Sequence, residues 1–301
     1  MRGVVTLAGD GSRMLPWTHG LRKEFLPLFD RATVRGGPPV LKPVALLAVE
    51  TLASAGIEDV TLVVRREDLA FVRGYFGVDH ALLRRHAHQP ERLRETRRLY
   101  RTLERLTLRF TVQPQPRGFG DAVLRAAGSV RGRPFVLHAG DAALLEPERG
   151  AVVRTMARLR EREDLDAVLL VRRVADPRRY GVIAGSASRP FAGVRRIDVR
   201  AMVEKPARPR SHWAATAVYA FGPAIWRVLR ERTRHRDSGE LEVTDGIAAL
   251  LASGGRISAL VLDPGMGLWK SVGSPEGYAA ALQATRRLAL HSHPNSREER
   301  D

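Results

Sequence analysis

The sequence predicts an α/β fold, a mainly parallel mixed sheet with helices on both faces, and three observations carry that expectation. Short apolar, β-branched runs recur along the chain and meet glycine or turn residues. Stretches of helical period separate most of these runs, the alternation of a parallel sheet covered on both sides. The 301 residues are 44% hydrophobic, enough for a large core and too apolar for a disordered chain. The first strand falls at 4–7, where Val4-Val5-Thr6-Leu7 runs into glycines. An apolar-periodic helix follows at 43–55 and ends at Gly56, and a second strand lies at 60–64. Strands at 109–113 and 135–138 flank a helix at 121–127. After a helix at 151–162 come strands at 167–174 and 214–220, a helix at 243–252 and a last strand at 257–262. Ligands of such sheets sit beyond the carboxyl ends of the strands.

There is no cysteine, so disulfides and thiolate metal sites are excluded. No apolar run approaches the ~20 residues of a membrane span, and the N-terminus has no secretory pattern. A soluble, cytoplasmic protein is expected. The net charge of +17 would suit a nucleic-acid partner. Only four of the 50 basic residues are lysine, however, and there is one asparagine, so the arginines reflect a genome-wide bias rather than a dedicated basic patch. Nucleic acid is therefore not expected as the partner. The surviving lysines (Lys23, Lys42, Lys205, Lys270) gain weight, because a compact ammonium does what a guanidinium fork does not.

Residues 81–106 interleave arginine and glutamate around Leu99, Leu103 and Leu106, with Glu95 and Arg98 at helical spacing. A solvated helical excursion is expected there. Residues 291–301 are polar and follow the last apolar helix, as a flexible tail would.

The first strand opens into Leu7-Ala8-Gly9-Asp10-Gly11-Ser12-Arg13. A glycine-rich turn after a strand lets the backbone approach phosphate oxygens, although this one is neither a P-loop nor a dinucleotide fingerprint. Arg13 and Lys23 follow within a dozen residues or so, which makes a triphosphate clamp possible.

Ala8-Gly9-x-Gly11-Ser12-Arg13 followed by Lys23-Glu24-x-Leu26-Pro27 resembles the signature of the sugar-1-phosphate nucleotidylyltransferases, nearest their UTP–glucose-1-phosphate branch. Gln113 ahead of Gly118-Phe119-Gly120-Asp121 resembles that family's base-reading segment. Asp141 resembles its magnesium-binding aspartate. Tyr180-Gly181-Val182 resembles its sugar-side turn, and Val203-Glu204-Lys205-Pro206 its sugar-phosphate segment. Gly239-Glu240-Leu241-Glu242-Val243-Thr244-Asp245 resembles a helix start of the family, with Thr244-Asp245 expected as caps. The similarity covers about residues 3–283, and the excursion at 81–106 falls where the uridylyltransferase branch carries one.

The resemblance implies a Rossmann-like nucleotidyltransferase fold in one domain, 1–290. Residues 1–145 would form its nucleotide half and 146–290 its sugar-phosphate half. Ala8, Gly9, Gly11, Ser12, Gln113 and Gly118 would bind the nucleotide, and Gly181, Glu204 and Lys205 the sugar phosphate. Arg13 and Lys23 would be catalytic, with Mg²⁺ on Asp141. Substrates would be a nucleoside triphosphate, UTP first, and a sugar 1-phosphate, glucose 1-phosphate first. Like chains would associate into a homo-oligomer. Adjacent strand residues point to opposite faces, so Glu204 and Lys205 can both serve only at a strand end or bulge.

Three positions depart from the family. Arg22 replaces a common proline before Lys23, and the segment 30–41 is long. Ser271 in Trp269-Lys270-Ser271-Val272-Gly273 stands where the family carries an aspartate, often a second metal ligand. Two alternatives follow. One is a catalytically weakened homologue that senses sugar nucleotides or serves as a regulatory subunit. The other is an RNA-associated protein using the 81–106 arginines.

Overall fold

Val4 and Val5 are both fully buried, yet they enter different cores, because neighbouring residues of a strand face opposite sides of a sheet. The computed structural model describes residues 1–31, 37–234 and 239–290; the expected tail at 291–301 and part of the long segment after Asp30 lie outside them. Strand β1 (Arg2–Leu7) is followed by a ribbon of β2 (Pro27–Asp30) and β3 (Val40–Pro43), then α1 (Val44–Ser54) and β4 (Asp59–Arg65). Next come α2 (Leu69–Tyr75), α3 (His80–Arg85), α4 (Arg94–Glu104) and β5 (Thr107–Gln113). Two short helices, α5 (Phe119–Arg125) and α6 (Ala127–Val130), lead to β6 (Phe135–Ala139), β7 (Ala142–Leu145), α7 (Ala151–Arg162) and β8 (Ala167–Arg173). A long hairpin of β9 (Gly181–Phe191) and β10 (Val194–Glu204) precedes β11 (Trp213–Phe221), α8 (Ala224–Arg234) and α9 (Val243–Ala252). The described chain ends in β12 (Ile257–Val261), β13 (Leu268–Ser271) and α10 (Pro275–Leu290).

One sheet of nine strands runs β5-β4-β1-β6-β11-β8-β12-β10-β9. Its first four are all parallel; β4, β1 and β6 are buried on both faces, which is why they read as apolar runs, whereas β5 is a half-buried edge. Only β10 and β11 run against the rest, so the sheet is mixed and mainly parallel, as expected. Helices α5, α8 and α9 cover one face, over Leu137, Leu169 and Ile247. On the other face α1, α2, α4 and α7 pack over Leu62, Val136 and Leu170. A third cluster joins Leu28, Leu47, Val272 and Ala281, and so fastens α10 and the ribbon β13–β7 beside α1.

The excursion at 81–106 is helical, in two pieces. α4 buries Tyr100 and Leu103 against the core and turns its arginines outward. Among the described residues, no helix is long and apolar enough to cross a membrane.

Candidate active site

The carboxyl ends of β1, β6 and β5 bring three sequence-distant segments together, as the parallel register requires. Beyond β1 the chain turns at Gly11, whose φ of +70° suits glycine, and Thr18 Oγ1 donates to its carbonyl at 2.9 Å. Three single 3-10 turns follow: Ser12–Met14 carries Arg13, Trp17–His19 carries Thr18, and Lys23–Phe25 carries Lys23 and Glu24. Gly9 lets the lysine cross the strand end, since a Cβ there would lie 3.3 Å from Lys23 Nζ. Asp141 stands just past β6, and Lys23 Nζ donates to its Oδ2 at 2.6 Å. β13 pairs antiparallel with β7, setting Ser271 opposite Ala142, and Val272 N donates to the Asp141 carbonyl at 2.9 Å. Around the point where Gly273 would bear a Cβ lie Arg13 Nη2 at 3.2 Å, Ser271 Oγ at 3.4 Å and Asp141 Oδ2 at 3.7 Å.

Charge at this point is tightly compensated. Burial alone would raise the Asp141 pKa, but Lys23 and Arg13 hold it below the usual carboxylate value. Burial likewise works against the Lys23 ammonium, yet Asp141 and Glu24 outweigh it and hold its pKa above the ordinary lysine value. Glu24 is pushed up to about 7 by its own burial, against the pull of Lys23.

Two cavities adjoin here, of about 320 and 410 Å³. Ala8, Gly9, Lys23, Gln113, Gly118 and Lys205 line the first lobe. Tyr180, Gly181, Glu204, Thr244, Trp269 and Ser271 line the second. Arg13, Phe119, Asp141, Ala217 and Glu242 line both, so the two lobes meet beside Arg13 and Asp141. Ala217 reaches both because β11 bulges between Ala215 and Tyr219, leaving Ala217 at φ +58°.

Gln113 is buried, and its amide nitrogen donates to Gly118 O at 3.1 Å and to Asp121 Oδ2 at 2.8 Å. Both N–H groups are thereby used, which leaves the carbonyl oxygen as an acceptor. Gly118 sits at φ +102°, where a Cβ would lie 2.4 Å from Leu241 O, so that backbone approach admits glycine alone. Glu204 ends β10, and Lys205 follows at φ +41°. That left-handed step directs Glu204 to the second lobe and Lys205 to the first, while Lys205 Nζ stays 3.1 Å from Glu204 Oε1. The strand end thus lets both face the cleft, but Lys205, expected with the sugar phosphate, lines the lobe of the glycine turn instead.

The remaining expected residues are placed differently. Gly11 shapes the turn without lining either lobe, and Ser12 is exposed beside it. Thr244 does not cap α9: Glu242 is the N-cap and Asp245 its reciprocal partner, with Glu242 N donating to Asp245 Oδ2 at 3.0 Å. The Thr244 hydroxyl is instead buried without a partner at the second lobe. Glu242 escaped sequence reasoning altogether. Burial, reinforced by nearby Glu204, pushes its pKa up to about 7. The only sequence signal for it was its place within a matched segment.

Asp141 is where a metal-binding aspartate belongs, but its carboxylate is engaged by Lys23, and Ser271 adds only a hydroxyl. Among the described residues no three His, Cys, Asp or Glu side chains converge as a cation site. These side chains alone do not form a resident Mg²⁺ site, which takes a near-octahedral oxygen shell.

A glycine turn with two cations at the head of a parallel sheet, opening onto two lobes, defines a nucleotide-handling α/β protein. The chain belongs to the nucleotidyl transferase family, whose pattern matches residues 2–287. It is 28% identical over 286 residues, 94% of its length, to the low-salt glycan biosynthesis nucleotidyltransferase Agl11 of Haloferax volcanii. It is 27% identical over 279 residues, 91% of its length, to the glucose-1-phosphate thymidylyltransferase of Streptomyces griseus. The chain spans just under two thirds of those relatives, 65% and 63% of their lengths. Its structure is similar to that of an apo UDP-glucose pyrophosphorylase, with a TM-score of 0.81 and 25% identity, covering 96% of this chain and 99% of that one.

Proposed function

We propose that the chain transfers a nucleotidyl group from a nucleoside triphosphate to a sugar 1-phosphate, with UTP and glucose 1-phosphate as the pair. The observation that carries this reading is the meeting of two lobes at Arg13 and Asp141, one lined by the glycine turn and the other by Gly181 and Glu204. Residues 1–145 then hold the nucleotide and 146–290 the sugar phosphate. An oxygen of the sugar phosphate attacks the α-phosphorus in line, a P–O bond forms, and the bond to the β-phosphate breaks as pyrophosphate leaves. No side chain acts as nucleophile. Catalysis consists of positioning and charge neutralisation, with Arg13 and Lys23 aimed where negative charge grows. Mg²⁺ enters with the triphosphate as part of that substrate.

The Gln113 carbonyl, the acceptor left on that amide, suits a base that presents a donor to it, as the ring N3–H of uracil or thymine does. UTP is placed ahead of dTTP because the UDP-glucose pyrophosphorylase likeness has a TM-score of 0.81 over 96% of this chain and 99% of that one. Glu204 and the unpartnered Thr244 hydroxyl suit sugar hydroxyls.

Pyrophosphate release over a grid of nucleoside triphosphates and sugar 1-phosphates tests the proposal, with UTP and glucose 1-phosphate expected to turn over fastest. A second reading, a sugar-nucleotide sensor, is favoured by Ser271 at the family's aspartate position. It gains support if no pair releases pyrophosphate while UTP still raises the melting temperature.

A further inference from the structure

Behind the wall of the second lobe lies a separate cavity of about 360 Å³. Its lining includes Arg172, Arg173, Arg195 and Lys270 against one carboxylate, Asp263, which already accepts from Arg195 Nε at 2.7 Å. Among the described residues Arg172, Arg173 and Lys270 pair with no carboxylate. Aromatic faces hold two of the arginines. Arg172 Cζ stands 4.7 Å from the Trp269 ring centre and 5.8 Å from that of Tyr180, and Arg195 Cζ 5.5 Å from Trp213. Arg195 spends its N–H edge on Asp263, but the stacked Arg172 is pre-organised and keeps its edge for a phosphate, which a guanidinium meets with paired hydrogen bonds. Indole walls suit the carbon body behind such a group. The volume falls within the ~300–1,000 Å³ of small-ligand sites.

The cavity shares one strand with the active site. Trp269 lines both this cavity and the second lobe, and its indole N–H donates to Thr216 O at 2.9 Å in the bulged stretch of β11. Lys270 faces this cavity and Ser271 lies beside Asp141. Three consecutive residues thus touch the outer cavity, the dividing wall and the Asp141 cluster.

We propose that this cavity binds a phosphate monoester, with Arg173 and Lys270 supplying its counter-charge, and that β13 transmits its occupancy to the active site. The transmission, though not the binding, rests on the second lobe being the sugar-phosphate site. Calorimetric titration of the full chain with glucose 6-phosphate, which lacks the 1-phosphate of the acceptor, is the test. Binding is expected in the parent, at least tenfold weaker in Arg173→Ala/Lys270→Ala, and undiminished in Lys23→Ala. Equal affinity in the parent and the double variant overturns the site, as does loss of binding in Lys23→Ala, which would place the probe in the active site. An inorganic phosphate arm separates the sources: if the free ion binds as tightly as the ester, the site is not one for esters. Saturating glucose 6-phosphate should shift the KM for glucose 1-phosphate at least threefold in the parent and not in the double variant. An unchanged KM in the parent removes the coupling. Absence of turnover with any substrate pair would instead refute the transferase reading and leave the calorimetry standing.

Discussion

Replacing Ser271 by aspartate would add a second carboxylate beside Asp141, and its consequences can be worked from the contacts around Gly273. Ser271 Oγ and Asp141 Oδ2 lie 3.4 and 3.7 Å from one point, with Arg13 Nη2 3.2 Å from it. A carboxylate at 271 would therefore stand on the order of 5 Å from that of Asp141, repelling it by about 3 kcal/mol at an effective dielectric constant of about 20. Arg13 offsets part of this, leaving a net loss of about 1–2 kcal/mol in the metal-free protein. For a chain of this size the melting temperature should fall by roughly 2–3 °C. Mg²⁺ should reverse that fall, because it binds the new carboxylate pair only in the folded state. The same pair should cut the Mg²⁺ concentration for half-maximal pyrophosphate release by about fivefold, the equivalent of ~1 kcal/mol, with substrate choice unchanged. Melting curves with and without Mg²⁺, and a magnesium titration of both proteins, measure these effects. An unaltered metal-free melting temperature together with an unaltered magnesium requirement would show that residue 271 does not face Asp141.

Three further outcomes are expected. Lys23→Ala should lower turnover at least tenfold with the protein still folded, and Lys23→Arg should rescue it poorly, since Asp141 and Glu24 close on the compact ammonium at 2.6 and 4.0 Å; parent-like activity in the arginine variant refutes the lysine's role. Glu242 has a folded-state pKa near 7 against an ordinary 4.5, so the folded protein holds the extra proton and stability should fall as pH rises from about 4.5 to 7. Glu242→Gln should flatten that slope and add roughly 1–2 kcal/mol at pH 8, and a slope left intact in its melting profile assigns the decline elsewhere. The exposed arginines of α4 should bind single-stranded RNA only weakly and without sequence preference, and a Kd below about 10⁻⁷ M at physiological salt would reinstate an RNA partner.

Strands buried on both faces were legible as apolar runs: 60–64 became Asp59–Arg65 and 135–138 became Phe135–Ala139. Helices with a plain apolar stripe were equally legible, and Ala151–Arg162 and Val243–Ala252 keep their expected limits. The β9–β10 hairpin was not. Its first strand, Gly181–Phe191, mixes Gly, Ser, Ala and Pro over a half-exposed face, and its turn uses Ala192 and Gly193 at φ +50° and +79° rather than a strong turn pair. The ribbon β13–β7 escaped for another reason. Each strand has four residues, too few to show a period, and what they pack against is supplied by distant α10 and α1. Composition and spacing suggested a phosphate-binding turn. The grouping of Arg13, Lys23 and Asp141 rested on resemblance, because no local pattern reveals which strand ends will be neighbours. The Lys23–Asp141 bond and the committed amide of Gln113 could be learned only from the packed structure.

The left-handed step at Lys205 has a consequence for how the two halves of the molecule can change over time. Glu204 and Lys205 have Cα atoms about 3.8 Å apart, yet they line different lobes. A single peptide unit therefore carries one side chain to each lobe, and on the proposed function one reader for each substrate. Mutations that drift the position of one reader shift the other with it, so donor and acceptor preferences at this junction are inherited together. New sugar preferences are easier to reach through side chains that touch only one lobe, such as Thr244, than by remodelling the strand end that serves both.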